Sequence, residues 1–335
     1  MDKTNDSLIT VIGGGSWATA IVKILSEGEN SQIKWWLRNS EIADYITKFG
    51  HNPKYLSDVN INNDKVKVFT DIKEALSGSQ YVILVIPAAF LQQSMSSLLI
   101  EDLKNKIVIS GIKGMLPEKN ILITDWLEQN FHVSAENIAV IAGPCHAEEV
   151  ALEKQSYLTI ASKNIQTASL FADLITCRYI HAFPSQDIYG IEYSAIMKNI
   201  IALACGITHG LGYGDNFQAV LVSNAMQEIK NFVDTLFPTY RDLTGSAYLG
   251  DLLVTAYSQF SRNRMFGNMI GRGYSVKSAQ VEMNMIAEGY YAVKSVHEIN
   301  IFYRLDMPIV SAVFNILYNN ASPAREMMTL RERLR

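Results

Sequence analysis

Lys198 and Asn199 interrupt a helix-patterned run, Ala195–Ala204, that is otherwise apolar. An ammonium in such company must pair with an acid, snorkel to water or face a cavity. Ser194, Ala195 and Ala202 share its helix face at three- and four-residue spacing and are small, which leaves room for a ligand. A partner acid stands in the apolar segment Gly250–Thr255, where Asp251 and Thr255 lie four apart and point the same way. Just beyond, Ser261-Arg262-Asn263-Arg264 supplies guanidinium and amide donors suited to a phosphate or carboxylate. Lys113, in Gly111-Ile112-Lys113-Gly114, has little side-chain bulk around its ammonium. Together these groups can serve a phosphorylated carbonyl compound. One basic group would protonate the carbonyl oxygen as hydride arrives, and the others would hold the phosphate.

The elements that position them begin at Leu8–Ala20, an apolar strand that turns through glycines into a helix. Its G-x-G-x-x-A pattern is a dinucleotide fingerprint: Gly13 for the tight turn, Gly15 for backbone approach to a pyrophosphate, Ala18 where helix meets strand. The helix start adds free N–H groups and a positive dipole end. The second strand ends in Arg38-Asn39 rather than in the acid that would grip a ribose diol. An arginine there can hold a 2′-phosphate, so NADPH is expected alongside NADH; the competing account is a solvated arginine beside a helix cap at Ser40. Gly143-Pro144-Cys145-His146-Ala147 follows another strand at the same, ligand-binding edge.

Eight short apolar runs read as strands: Leu8–Ile12, Ile33–Leu37, Val66–Phe69, Tyr81–Ile86, Ile107–Ser110, Ile138–Ile141, Tyr157–Ala161 and Tyr179–Ala182. Helical segments alternate with several of them. Asp71 and Glu74 form a capping pattern, and Pro117 is placed to open a helix over 118–129. The alternation predicts an N-terminal Rossmann domain, a doubly wound parallel sheet over residues 1–185. From about Ile188 strand signals nearly vanish and helical patterns take over: Ile191–His209, Phe217–Leu236, Ala247–Phe260, Tyr290–Tyr303 and Ile309–Tyr318. Pro184-Ser185 breaks the pattern, so an all-helical second domain is expected over 186–335, with Arg331–Arg335 frayed or lying on the surface.

Composition sets outer bounds. The 335 residues suffice for two domains, and 48% hydrophobic against 19% charged residues excludes a disordered chain. A net charge of -4 with no long basic run disfavours nucleic acid as a partner. No uninterrupted apolar stretch reaches the ~20 residues of a bilayer span, and Met1–Ser7 is polar and unlike a signal peptide. Cys145, Cys177 and Cys205 are widely spaced and suggest neither a disulfide framework nor a metal site. A soluble cytoplasmic enzyme without a metal fits these bounds.

The chain resembles the NAD(P)-dependent glycerol-3-phosphate dehydrogenases of bacterial type over nearly its whole length. The likeness rests on Gly13–Ala20, Lys113-Gly114, Gly143-Pro144, Asp187–Glu192 running on to Lys198-Asn199, Gly250–Thr255, Ser261-Arg262-Asn263 and Glu288-Gly289. It implies reduction of dihydroxyacetone phosphate to sn-glycerol 3-phosphate with NADH or NADPH, which supplies glycerophospholipid synthesis. By resemblance Lys198 is the proton donor and acceptor, Lys113 a second lysine near cofactor and substrate, and Asp251 and Thr255 orienting groups. Arg262 and Asn263 contact the substrate phosphate with Ser261 nearby, and Gly143 and Cys145 match substrate-side positions. Ser16, Trp17, Arg38, Ala147, Ile286 and Glu288 match cofactor positions, and Lys113 and Arg262 also touch the cofactor side. A homodimer through the helical domain is a family-level expectation. Departures from the family pattern are Cys145, where Ser or Thr is more frequent, His146, where an aromatic is usual, and Asn224, where arginine is frequent. The runner-up is a related dehydrogenase, such as a 3-hydroxyacid dehydrogenase or ketopantoate reductase. A catalytically silent nucleotide sensor is a second class, which the intact set Lys113, Lys198, Asp251 and Arg262 argues against.

Overall fold

A computed structural model describes residues 7–28, 31–117, 119–283 and 287–335. Eight strands form one sheet: β1 (Ser7–Ile12), β2 (Ser31–Trp36), β3 (Val66–Phe69), β4 (Tyr81–Leu84), β5 (Ile107–Ser110), β6 (Ile138–Ala142), β7 (Ser156–Ser162) and β8 (Ile180–Ser185). Their order is β3-β2-β1-β4-β5-β6-β7-β8, and the first six strands are parallel throughout. All eight lie where apolar runs predicted them, and the first six repeat the doubly wound dinucleotide order. One pairing departs from an all-parallel sheet: β6 and β7 run antiparallel. The link between them carries only a five-residue helix, which reverses the chain instead of returning it along the sheet. The strand β8 also continues through Pro184, which reads in sequence as a breaker. It lies at the sheet edge, where proline's missing N–H costs no ladder bond.

The helices around the sheet are α1 (Ser16–Ser26), α2 (Ser40–Phe49), α3 (Ile72–Leu76), α4 (Ala88–Ser94), α5 (Ile100–Leu103), α6 (Ile123–Phe131), α7 (Ala147–Ala151) and α8 (Ile165–Ile175). Asp71 caps α3 as its pattern predicts, accepting from the N–H groups of Lys73 and Glu74. The cap of α2 is Asn39, not Ser40. Pro117 does not open the expected helix, whose first residue, 118, lies outside the described residues. The chain turns there instead, with Leu116 bridging to Ile121, and α6 starts only at Ile123.

The second half is helical: α9 (Ile188–Gly210), α10 (Asp215–Leu236), α11 (Asp251–Tyr257), α12 (Arg262–Gly271), α13 (Val276–Glu282), α14 (Glu288–Tyr303), α15 (Pro308–Tyr318) and α16 (Pro323–Arg331). The expected helix over Ala247–Phe260 is broken. A π-helical turn, Ser246–Gly250, leads into α11, which ends at Tyr257. Helix α9 has the length and hydropathy of a membrane span, yet its most apolar 18 residues are wholly buried in the core of this half. Glu228 of α10 is buried too, and it accepts from the N–H groups of Ile309 (2.6 Å) and Val310 (3.3 Å). It thereby caps α15, whose own cap residue Met307 offers no side-chain bond. Burial raises this carboxyl to about 7 against the pull of those two bonds. The tail is not simply frayed: Arg335 is tied to Asn224 through Asn224 Nδ2 to the Arg335 carbonyl (2.9 Å) and the Arg335 N–H to Asn224 Oδ1 (3.2 Å).

The chain divides into two compact units. One takes the sheet and its helices, up to Ile112 and then Ile123–Ile188; the other takes Tyr189–Arg335 together with Lys113–Leu122. Met115 and Leu122 join the core of the helical unit although they lie between β5 and α6 in sequence.

Candidate active site

In the sheet unit, the fingerprint turn is held from within. Gly13 adopts φ +138, and a Cβ there would strike the Val85 carbonyl at 2.2 Å, so only glycine fits. Trp35 Nε1 donates to the Gly13 carbonyl (2.6 Å), and Asn52 Nδ2 donates to the Gly14 carbonyl (3.2 Å) and to Thr19 Oγ1 (3.0 Å). These bonds turn the carbonyls of the loop inward. A Cβ on Gly15 would meet nothing within 4 Å, so the fold itself does not need glycine there, and the space lies open to a ligand. Helix α1 starts at Ser16 without a side-chain cap, an arrangement that fits a pyrophosphate. Ala18 is fully buried at the helix–strand contact, and Trp17 reaches across to Gly111 at the end of β5.

Arg38 is exposed just past β2, its guanidinium over the Phe90 ring at 5.8 Å. Gly143 follows β6 at φ +111, packed so that a Cβ would meet the Tyr157 carbonyl at 2.6 Å. Cys145 is buried before α7, and Ala147 is buried as its first residue. These residues all stand in the sheet unit.

In the helical unit, Lys198 and Asp251 form a buried ion pair, with side chains 5% and 2% exposed. Lys198 sits mid-way along α9, and the π-helical turn delivers Asp251 at the first position of α11. Such turns often mark functional sites, because one extra residue per turn re-aims a side chain. Burial lowers the Lys198 ammonium to about 7; Asp251 opposes the shift and the Lys113 cation adds to it. The loop bearing Lys113 is anchored by the neighbouring residue on α9: Asn199 Nδ2 donates to the Lys113 carbonyl at 2.9 Å. Of these two neighbours on α9, Lys198 is paired with Asp251 and Asn199 fastens the Lys113 loop. Thr255 does not reach outward. Its hydroxyl donates to the Asp251 carbonyl at 2.7 Å and steadies the first turn of α11.

Ser261-Arg262-Asn263 is the start of a helix. Ser261 Oγ caps α12 by accepting from the Arg264 N–H (3.3 Å), and Arg262 is half-buried in the first turn. Asn263 Oδ1 accepts from the Gly289 N–H (2.9 Å) beside Glu288, supplying α14 with the cap its own Ala287 lacks. With Oδ1 so engaged, what the Asn263 side chain has left to offer is the NH2 donor. Ile286 lies outside the described residues.

Residues 8–168 match the NAD-dependent glycerol-3-phosphate dehydrogenase N-terminus, and residues 187–328 match its C-terminus. The chain belongs to the NAD-dependent glycerol-3-phosphate dehydrogenase family. A glycerol-3-phosphate dehydrogenase [NAD(P)+] of Oceanobacillus iheyensis is 34% identical over 94% of this chain and 91% of its own length. Another, from Bacillus velezensis, is 31% identical over 98% and 94%. The crystal structure of the glycerol-3-phosphate dehydrogenase from Coxiella burnetii superposes with a TM-score of 0.89 at 28% identity, covering 98% of this chain and 99% of that one.

Membership in the glycerol-3-phosphate dehydrogenases leaves the runner-up oxo-acid reductases the less supported reading. Among the described residues no group of three His, Cys, Asp or Glu side chains could hold a metal ion.

Four glycines bring α12 to α9, a feature outside the expectations set by the sequence. Gly206 and Gly210 on α9 cross Gly267 and Gly271 on α12 with backbone in direct contact. A Cβ at Gly206 would meet the Arg264 carbonyl at 2.1 Å, and one at Gly267 the Leu203 carbonyl at 2.2 Å. The signal was available: two glycines four apart on each helix, the small-xxx-small device that lets helices touch.

Proposed function

We propose that this enzyme reversibly reduces dihydroxyacetone phosphate to sn-glycerol 3-phosphate with NADH or NADPH, feeding glycerophospholipid synthesis. The observation that carries the reading is the buried Lys198–Asp251 pair with Lys113 close by, in a chain of this family. In this reading the sheet unit binds the dinucleotide and the helical unit the substrate. Bound reduced nicotinamide supplies the hydride. Lys198 gives its proton to the ketone oxygen and takes it back in the oxidative direction. A pKa near 7 suits both roles, since each protonation state is well populated at neutral pH. Asp251 fixes the ammonium, Lys113 adds positive charge beside the developing alkoxide, and Arg262 with the Asn263 amide holds the phosphate at the start of α12. Thr255 and Ser261 act through the backbone they bond, the first turn of α11 and the start of α12. The same reading takes Gly143 and Cys145 as substrate-side positions and Ser16, Trp17, Ala147, Ile286 and Glu288 as cofactor-side ones. A cytoplasmic location and pairing of two copies through the helical unit extend it on family resemblance alone.

The test is loss of reduced-nicotinamide absorbance on adding dihydroxyacetone phosphate, against 3-oxo acids and ketopantoate. Turnover of an oxo acid with none of the triose phosphate overturns the reading. For the cofactor, Arg38→Ala is expected to raise the KM for NADPH about tenfold, the worth of one charge-assisted bond, and to leave NADH nearly untouched. Equal losses with both cofactors refute a 2′-phosphate contact at Arg38.

A further inference from the structure

Ser194 lies one helical turn before Lys198 on α9, on the same face. It is 3% exposed, and its Oγ has no hydrogen-bond partner among the described residues. A buried serine in mid-helix ordinarily donates to the carbonyl four residues back, as Thr208 does to Ala204 farther along this helix (3.0 Å). Ser194 does not. Buried hydroxyls without partners are rare because each forgoes its bonds to water, so each asks for a reason.

The reason lies in what stands beside it. Side chains on a helix lean toward its N-terminus, so residues three and four before Lys198, Ala195 and Ser194, occupy the part of the helix face its stem leans over. Ala195 is also buried and offers no polar atom. Of the two residues one turn before Lys198 on its face, Ser194 is thus the one with a polar group to offer. The proposed substrate has three polar functions: a phosphate, a ketone oxygen and the hydroxyl on C1. Arg262 and Asn263 answer the first and Lys198 the second. A serine hydroxyl can both donate and accept, as an alcohol partner requires.

We infer that Ser194 is a further substrate-binding residue, whose hydroxyl bonds the C1 hydroxyl of the ketone and so selects a hydroxymethyl ketone over a methyl ketone. The inference rests on the function proposed above. A site built around a substrate hydroxyl rejects the analogue lacking it, since its own group is then left unpaired.

The experiment compares dihydroxyacetone phosphate with hydroxyacetone phosphate, which keeps the ketone and phosphate but has a methyl group at C1. Both are assayed on wild type and Ser194→Ala, with kcat/KM as the readout, or the inhibition constant where the analogue turns over too slowly. The expected result is a loss of about tenfold on dihydroxyacetone phosphate, with little change on the analogue and an unchanged KM for NADH. The thermal midpoint should stay level or rise, because the substitution removes an unsatisfied buried group. Equal losses on both ketones would assign Ser194 to holding Lys198 and overturn the inference. Unchanged rates with a higher midpoint would make the hydroxyl a mere orphan and overturn it too. A wild type inactive on dihydroxyacetone phosphate removes the function and this inference together, whereas an active wild type with an unmoved preference removes this inference alone.

Discussion

Replacing Lys198 with alanine is expected to lower kcat for ketone reduction about 10³-fold, within the range of a lost general acid, while NADH binds nearly as before. The fingerprint glycines, the expected cofactor turn, belong to the sheet unit, and none of the contacts that hold that turn involves Lys198. Reduction needs the ammonium and oxidation the free amine. Wild-type reduction should therefore fall as pH rises through about 7, and oxidation should fall as pH drops through it, both inflections vanishing in the variant. The same lowered pKa is linked to stability. The unfolded lysine holds its proton up to 10.5 and the folded one only to about 7, so stability present above the unfolded value is lost as pH falls through the folded one. Removing one member of a buried pair strands the other, at a cost of about 3–5 kcal/mol. Lys198→Met, which keeps the packing of the stem, is the companion variant, with NADH titration as the check on folding. Either variant turning over at near wild-type rate would end Lys198's role as acid.

Gly267→Ala carries the second large effect, and it involves no chemical group at all. Its methyl would overlap the Leu203 carbonyl at 2.2 Å, an atom of helix backbone that cannot swing away. The α9–α12 crossing must open, at a cost of about 3 kcal/mol, the upper end for an added methylene in a packed core. The thermal midpoint should drop by roughly 5–10 °C. Because the crossing sets where α12 begins relative to Lys198, kcat/KM for the phosphorylated ketone should fall as well, by up to about 10²-fold for a displacement near 1 Å. The KM for NADH should change less, since Arg262 is the one α12 residue expected on the cofactor side. A variant that melts with wild type and keeps its kcat/KM would show that the helices are not in backbone contact.

Much of the fold was legible because its signals are local. Each strand of the sheet is a short apolar run bounded by turn residues, and Asp71 announces α3 by the bonds it accepts two and three residues on. The buried ion pair was legible for the opposite reason: Lys198 and Asp251 stand out against apolar neighbours, and burial leaves two such charges little choice but each other. What escaped depends on distant partners. Asn263 reads as a phosphate donor, yet half of its amide caps α14. Thr255 reads as a site hydroxyl, yet it bonds the carbonyl one turn back. Pro117 is well placed to start a helix, but its neighbours are committed to a core built from residues beyond 189. The antiparallel β7 escaped because strand direction is set by the length of a link, not by the strand's own residues.

The excursion of Lys113–Leu122 into the helical unit has a consequence for how the chain is made. Synthesis runs from the N-terminus, and Met115 and Leu122 emerge long before the helices whose core they share. At 5–20 residues per second, the last of those helices follows roughly 10–40 s later. Through that interval the nascent chain presents an apolar stretch, with the Lys113 loop strung between β5 and α6, until Asn199 arrives to fasten it. A fragment ending near residue 188 would stay in that condition for good, with the sheet's residues complete and a piece of another core exposed to whatever binds greasy surfaces. The segment that brings Lys113 to Lys198 is thus also the last of the first half to find its place.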